Sequence, residues 1–511
     1  MNYLELFHAT LPETALEIAA LLVLVVDLGL LRRATGELRR TVAVLLGVLG
    51  CGAALWTLAM PAQGTLTFGS DVLLTSGGSA GVAQVGILAL TELTLFLLID
   101  AEFTAHAGEF VAVILMATAG GLIISAAQDI LVIFIGLELL SLGLYILTAF
   151  AKKSARSAEA AIKYYLFGGM SAAFLLFGFS YLYGLTGSTN LHAIALGAIT
   201  SYGAGSSLSY VALVMIAAGL GFKVAAVPFH LWAPDTYEGA PAPAAAFVAS
   251  VSKVASFALL IGIGTAIVHA FDSSGVVHLI IVHNGSVPKY IGLEHQWSLL
   301  LAVMGGLSIV VGNLVALAQV SVRRLLAYSA VAHSGYILLG LAYFSWSPRS
   351  AQAILYYVLT YGLTTIGAFG AVAAVERATG SDRLDAFLGL HKRNGVLAAV
   401  MLVLFLSLAG IPPLVGFWAK FNLFSAVLAM GNASGSALSL VALAIAMSAV
   451  SLYYYLQVLK RAYVMPGVEE TRITVPTMTM AVLVVIALAV LLLGILPGAM
   501  QSWIAGFYPG M

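Results

Sequence analysis

Four lysines lie inside apolar stretches long enough to cross a membrane: Lys163, Lys223, Lys253 and Lys420. No arginine shares that setting. A lysine at the centre of a membrane helix costs roughly 2.5–3.5 kcal/mol to insert, so such residues face a protein interior or a wet cavity and are functional by default. Arginine keeps its charge in proteins, whereas a desolvated lysine can release its proton. Lysine without arginine is the selection a proton relay needs. Glu138, deep in Leu131-Val-Ile-Phe-Ile-Gly-Leu-Glu138, has no basic residue within one helical turn, so its partner must come from another helix. His230 and His333 also fall on apolar runs, and histidine titrates near neutral pH.

Each of these residues has a plainer reading. Lys163 is seven residues after Arg156 and four after Glu159. It can snorkel to the surface and pair with Glu159 at i−4. Lys223 sits five residues before Pro228, which removes the hydrogen bond to the Val224 carbonyl and opens a hydratable kink. Lys253 follows Ser250 and Ser252 and precedes Ser256, a polar patch able to hold water. Lys420 follows the interruption Gly410-Ile-Pro-Pro413. For any of them the alternative is a charge that merely neutralises a partner. For His230 and His333 it is a ring held by a backbone carbonyl. His230 shares the face of Lys223 only if the helix continues past the kink.

Long helices must position these groups. Of 511 residues, 61% are hydrophobic and 9% charged, against ~25% charged in a soluble domain, and mean hydropathy is +1.04. So few charges cannot cover a soluble surface of this size. The expected fold is an all-α polytopic membrane protein. Fourteen apolar runs reach about 20 residues, the length of a spanning helix: 10–31, 41–60, 80–99, 108–126, 129–150, 158–184, 208–233, 243–270, 298–318, 322–344, 352–376, 395–430, 437–463 and 477–498. Runs 208–233 and 395–430 carry internal Gly and Pro and are expected to be broken. Each holds one central lysine and stands fourth in a set of five. This implies two inverted five-helix repeats, a recurring transporter design. The organisation is therefore 1–107 (helices 1–3), 108–270 (first repeat, helices 4–8), 271–297 (an extracytoplasmic loop), 298–463 (second repeat, helices 9–13) and 464–511 (helix 14). The loop has a strand-like stretch before Asn284-Gly285, which suits a hairpin turn. Its His278, His283 and His295 match no familiar ligand spacing, so no metal site is assigned.

Loops alternate in charge. Those after odd-numbered runs hold sixteen Lys and Arg, while those after even-numbered runs hold only Lys289 and Arg349. Basic loops mark the cytoplasmic side, which places both termini in the periplasm. Net charge is zero, which argues against nucleic acid as a partner. The lone Cys51 excludes a disulfide framework and Cys-ligated clusters. The first 30 residues lack Lys and Arg, so neither a cleaved signal peptide nor an import presequence is expected.

Gly221-Phe-Lys223-Val-Ala-Ala-Val-Pro228-Phe-His230-Leu-Trp232-Ala-Pro234-Asp235-Thr-Tyr237-Glu238-Gly239-Ala-Pro241 resembles the signature of the antiporter-like, proton-translocating subunits of respiratory complex I, NADH:quinone oxidoreductase. So do Ala158-Glu-Ala-Ala-Ile-Lys163, Arg323-Arg-Leu-Leu-Ala-Tyr-Ser-Ala-Val-Ala-His333 and Gly410-Ile-Pro-Pro-Leu-Val-Gly-Phe-Trp-Ala-Lys420. The resemblance covers about residues 100–430. Asp-x-Tyr-Glu-Gly-Ala-Pro and lysine at 420 point to the N subunit (subunit 2 type). The resemblance implies a relay in which Glu138 pairs with Lys223, Lys253 links two half-channels and Lys420 leads to the exit, with Lys163, His230 and His333 as further relay candidates. It also implies that NADH, FMN, iron–sulfur clusters and quinone sit in partner subunits and that this chain binds none of them. The partners would be neighbouring antiporter-like and small membrane subunits in the lipid bilayer of a bacterial inner membrane. A multisubunit cation/proton antiporter or a membrane hydrogenase-type complex would share most of these residues.

Overall fold

The computed structural model describes residues 3–60, 65–68, 71–200, 207–273, 292–344, 348–430, 434–467 and 472–508. Its described residues are nearly all helical. The main helices are α1 (Leu11–Val25), α2 (Gly36–Leu58), α3 (Gly78–Leu98), α4 (Ala107–Ala126), α5 (Ile130–Thr148) and α6 (Ala155–Thr186). Then come α7 (Ser207–Lys223), α8 (Trp232–Gly239), α9 (Ala242–Ala249), α10 (Val251–Ser273), α11 (Gly292–Leu317) and α12 (Val322–Ala342). The last are α13 (Pro348–Thr379), α14 (Gly395–Ala409), α15 (Val415–Met430), α16 (Gly435–Tyr463), α17 (Thr477–Ile495) and α18 (Pro497–Ala505). Among the described residues, eleven helical segments are long and apolar enough to cross a membrane, α9 and α10 forming one of them. Helices α7, α14 and α15 are shorter, because the runs at 208–233 and 395–430 are split where glycine and proline interrupt them.

Polar side chains start several helices. Asp129 accepts the Leu131 and Val132 amides at α5, Ser154 caps α6, Ser321 caps α12 and Asn394 caps α14. These caps satisfy amides that the helix itself leaves unpaired. The short hairpin pairs β1 (Leu66–Phe68) with β2 (Asp71–Leu74), between α2 and α3. The expected hairpin after residue 271 falls mostly on 274–291, which lie outside the described residues.

Burial orders the bundle. The 242–270 segment and α12 are 89% and 94% buried in their most apolar windows, whereas α16 and α17 are 22% and 28% buried. The former pair is the core, and the latter lie at its periphery. Glycines let two helix pairs approach closely. A Cβ on Gly120 of α4 would meet the Leu140 amide of α5 at 2.6 Å, and one on Gly335 of α12 would meet the Gly305 carbonyl of α11 at 2.7 Å.

Candidate proton relay

Both expected breaks are present. Helix α7 stops at Lys223, and the chain runs without regular helix until α8. Helix α14 ends at Gly410, whose φ of +87° is a left-handed cap suited to glycine. Lys223, Lys253 and Lys420 all lie inside, with 8%, 2% and 7% of their surface exposed. None of the three makes a carboxylate ion pair among the described residues.

Lys223 departs from expectation. Its amine donates to Ser141 Oγ at 2.5 Å, one turn along α5 from Glu138. Glu138 is not within 4 Å of it, although its charge acts on the lysine through space. The direct pair that the resemblance implied is replaced here by a serine. Glu138 is half-buried on α5, between the exposed Ile135 and Leu142.

Lys253 is the most enclosed of the three. It donates to the Ala330 carbonyl at 2.6 Å, to Ser334 Oγ at 2.5 Å and to the Val224 carbonyl at 3.4 Å. Ser334 Oγ also reaches Val224 O at 2.6 Å. The carbonyl freed at the Pro228 break therefore serves Lys253 and Ser334 rather than Lys223. Ser250 and Ser256, in the expected polar patch, donate to carbonyls of their own helical segment. The partners of Lys253 come from α12 and the break.

His333 of α12 is bonded to Tyr357 at 2.9 Å through Nδ1 and lies 3.5 Å from Tyr455 through Nε2. Its ring leans on Tyr361, centroids 4.7 Å apart. Tyr361 in turn lies under Lys253, 5.7 Å from the amine. Lys420 donates to the Leu408 and Ala409 carbonyls at 3.2 and 2.9 Å and to Ser448 Oγ at 2.8 Å. These carbonyls close α14, so the amine sits at the negative end of a helix. Lys420 and His333 both lie beside Tyr336, the amine 5.5 Å and the imidazole centroid 5.8 Å from its ring centre.

Two candidates stand apart from this row. Lys163 has a side chain 40% exposed and pairs with Glu159 and Asp235, each at 2.7 Å. Arg324 joins Asp235 at 2.7 Å and Glu238 at 2.9 Å. Burial opposes ionisation of Asp235, but hydrogen bonds from Lys163 and Arg324 outweigh it, and its carboxyl is held below the usual carboxylate range. This cluster ties α6, α8 and α12 together. His230 sits in the break, facing Tyr328 with ring centroids 6.4 Å apart, and its Nδ1 finds no partner among the described residues. The helix does not continue past the kink, so the shared face with Lys223 is lost. Residues not foreseen are Ser141, Ser334 and Ser448, the amines' hydroxyl partners, and Ser308, which caps the Val227 amide in the break at 2.8 Å. Only Ser141, at i+3 from Glu138, and Ser334, beside His333, carried a local signal.

The family described as NADH:quinone oxidoreductase/Mrp antiporter, TM matches residues 127–287 and 275–446. The chain belongs to this family. It is 47% identical over 99% of both chains to NADH-quinone oxidoreductase subunit N 2 of Acidobacterium capsulatum. It is 38% identical to subunit N 1 of Roseiflexus castenholzii, over 88% of this chain and 86% of that one. Among solved structures, a chain of respiratory complex I from Thermus thermophilus superposes with TM-score 0.74 at 31% identity, over 96% of this chain and 98% of that one. A chain of the Mrp complex from Dietzia shares the fold, with TM-score 0.77 at 20% identity over 97% and 98%. The N-type assignment within the family is thereby supported at the level of whole-chain identity.

Proposed function

We propose that this chain conducts protons as the N-type membrane subunit of NADH:quinone oxidoreductase, driven by redox chemistry in other subunits. The observation that carries this reading is the buried row of Lys223, Lys253, His333 and Lys420, whose polar partners are hydroxyls and backbone carbonyls. A fixed carboxylate would hold an ammonium permanently, whereas neutral acceptors leave the amine able to give up its proton. Tyr361, Tyr357 and Tyr336 bridge the row from Lys253 through His333 to Lys420. Ser141 holds the Lys223 amine one turn along α5 from Glu138, so that movement of the carboxylate would gate proton release from the lysine. Lys163 and Asp235 brace the helices around the break.

Glu138 lies on an outer helix face with exposed apolar neighbours. A carboxylate there is costly against lipid, which supports a neighbouring antiporter-like or small membrane subunit at this face. NADH, FMN, the iron–sulfur clusters and quinone belong to other subunits of the complex. Among the described residues no group of His, Cys, Asp and Glu could hold a metal. The two five-helix repeats are supported by the two broken helices and by the glycine contacts at α4–α5 and α11–α12, the first pair of each set. The loop charges support basic ends in the cytoplasm of a bacterial cell and both termini in the periplasm.

The test is proton pumping by the assembled complex carrying Lys253→Met. Methionine fills the space but cannot hold a proton, so quinone-coupled pumping should fall to background while assembly persists. Normal pumping would remove the relay reading. Topology is checked separately: a periplasm-dependent reporter should be active at the C-terminus and silent in the 380–394 loop, and the reverse would invert the orientation.

A further inference from the structure

A cavity of about 650 Å³ lies where α13, α15 and α18 meet, away from the lysine row. Ligand pockets run from ~300 to 1,000 Å³. Its polar lining follows helical spacing. On α13, Arg349, Gln352 and Tyr356 stand at i, i+3 and i+7 and share one face. On α15, Asn422 and Ser425 stand at i and i+3, and Gln501 of α18 supplies the third side. Alternating spans put the start of α13 and the finish of α15 at one end of the bundle. Arg349 is exposed there, and Tyr356 and Asn422 stand about 10 Å further in. Tyr356 is 1% exposed, and its hydroxyl has no hydrogen-bond partner among the described residues. An unmatched buried hydroxyl is costly.

The charge at the mouth narrows the ligand. Arg349 is one of only two basic residues in the loops after even-numbered runs, the side where Lys and Arg are scarce. No Asp or Glu is among the described residues that line the cavity. A guanidinium fork matches the oxygens of a phosphate. The amides and hydroxyls beneath it both donate and accept, as a polyol requires. A head group ending in an ammonium would meet no carboxylate on this lining. The rim is apolar: Ile495 and Leu496, just before α18, and Trp503 on it are exposed. Tryptophan is enriched at the membrane–water interface, and the apolar residues beside it offer a surface to acyl chains.

We propose that this cavity binds the head group of an anionic phospholipid with a polyol head, its phosphodiester on Arg349, its hydroxyls among Gln352, Asn422 and Gln501, and its acyl chains along Leu496 and Trp503. The site is independent of the relay, since none of Lys223, Lys253, His333 and Lys420 lines it. A soluble phosphate ester offers the same head chemistry but leaves the apolar rim unused, which favours the lipid.

The experiment uses the assembled complex in nanodiscs of equal phosphatidylglycerol and phosphatidylcholine. The photoreactive p-benzoylphenylalanine replaces Ala429, exposed in the cavity wall, or Leu488, exposed on α17. After illumination, mass spectrometry of this chain measures the adducts of the two lipids. The ratio of phosphatidylglycerol to phosphatidylcholine adducts should be about tenfold higher at 429 than at 488, the worth of one charge-assisted hydrogen bond. Arg349→Gln should bring the ratio at 429 down to that at 488, and Arg349→Lys should keep most of it, with assembly checked by subunit content. Equal ratios at the two positions in otherwise unaltered protein would mean contact with bulk lipid and would overturn the site. So would a ratio that Arg349→Gln leaves unmoved. A crosslink from 429 to a neighbouring subunit in place of lipid would give the cavity to a protein partner and overturn it as well. Excess sn-glycerol 3-phosphate should leave the adducts unchanged. Selective loss of the phosphatidylglycerol adduct would make a soluble phosphate ester the ligand and overturn the lipid source.

Discussion

Replacing Lys420 by arginine separates charge from proton release. The amine makes three hydrogen bonds, to two consecutive carbonyls at the end of α14 and to Ser448. Hydrogen bonds to a charged group are worth roughly 1.5–3 kcal/mol each. Lys420→Met forfeits these bonds and leaves the Leu408 and Ala409 carbonyls short of a donor, so it should also weaken the break. A guanidinium keeps the charge and offers donors in a planar fork to the same acceptors. Lys420→Arg should therefore assemble and hold the helix end. What it cannot do is let go. The ordinary proton affinities of arginine and lysine differ by about 2–3.4 pH units, which corresponds to ~3–4.6 kcal/mol and a release step slower by about 10²–10³. The assay is proton uptake by proteoliposomes of the whole complex, with subunit content checked by gel and quinone-reductase turnover recorded in parallel. Pumping through this subunit should be lost in both variants, with assembly better preserved in the arginine form. Full pumping by Lys420→Arg would show that a fixed positive charge suffices, and the relay role of Lys420 would have to be abandoned.

Gly410→Ala should be harmful on two counts. Its φ is +87°, and an added Cβ would sit 3.0–3.1 Å from the Lys420 Cδ and Nζ. The backbone term alone is about 1–2 kcal/mol, so the complex should melt earlier and pump less, and a wild-type melting curve would refute this. Asp235→Asn should cost roughly 1 kcal/mol after discounting for solvent, since the pair network is part-exposed. The folded-state carboxyl is depressed, so its contribution is present above the unfolded value of about 3.9 and is lost as pH falls through the folded value. The gap between wild type and Asp235→Asn in detergent stability should be constant from pH 8 to about 5 and close below about 4. A gap that widens on acidification would contradict the assignment. Lys163→Gln should lower the same stability while leaving pumping near wild type, and loss of pumping with normal stability would return Lys163 to the relay.

The membrane class, the breaks near Lys223 and Lys420 and the interior placement of three lysines were legible in the chain because they follow from local rules. Apolar length sets a span, proline and glycine interrupt a helix, and a lysine in hydrocarbon must turn inward. The short motifs around Lys223, His333 and Lys420 carried the family for the same reason, since each packs residue types that few other settings tolerate together. Partners were not legible, because they come from residues distant in sequence. Ser334 lies 81 residues from Lys253 and Asp235 lies 72 from Lys163. Sequence spacing already offered Lys163 a surface role beside Glu159, and packing added that α6 is peripheral and that the amine also meets Asp235. The family resemblance implied Glu138 as the partner of Lys223, yet the packing of α5 beside the break brings Ser141 to the amine instead. The Val224 carbonyl was correctly read as freed by Pro228, but which amine it would serve depended on where α10 and α12 cross the break. Local chemistry thus named the groups that could carry protons, and the crossing of helices decided which of them lie beside one another.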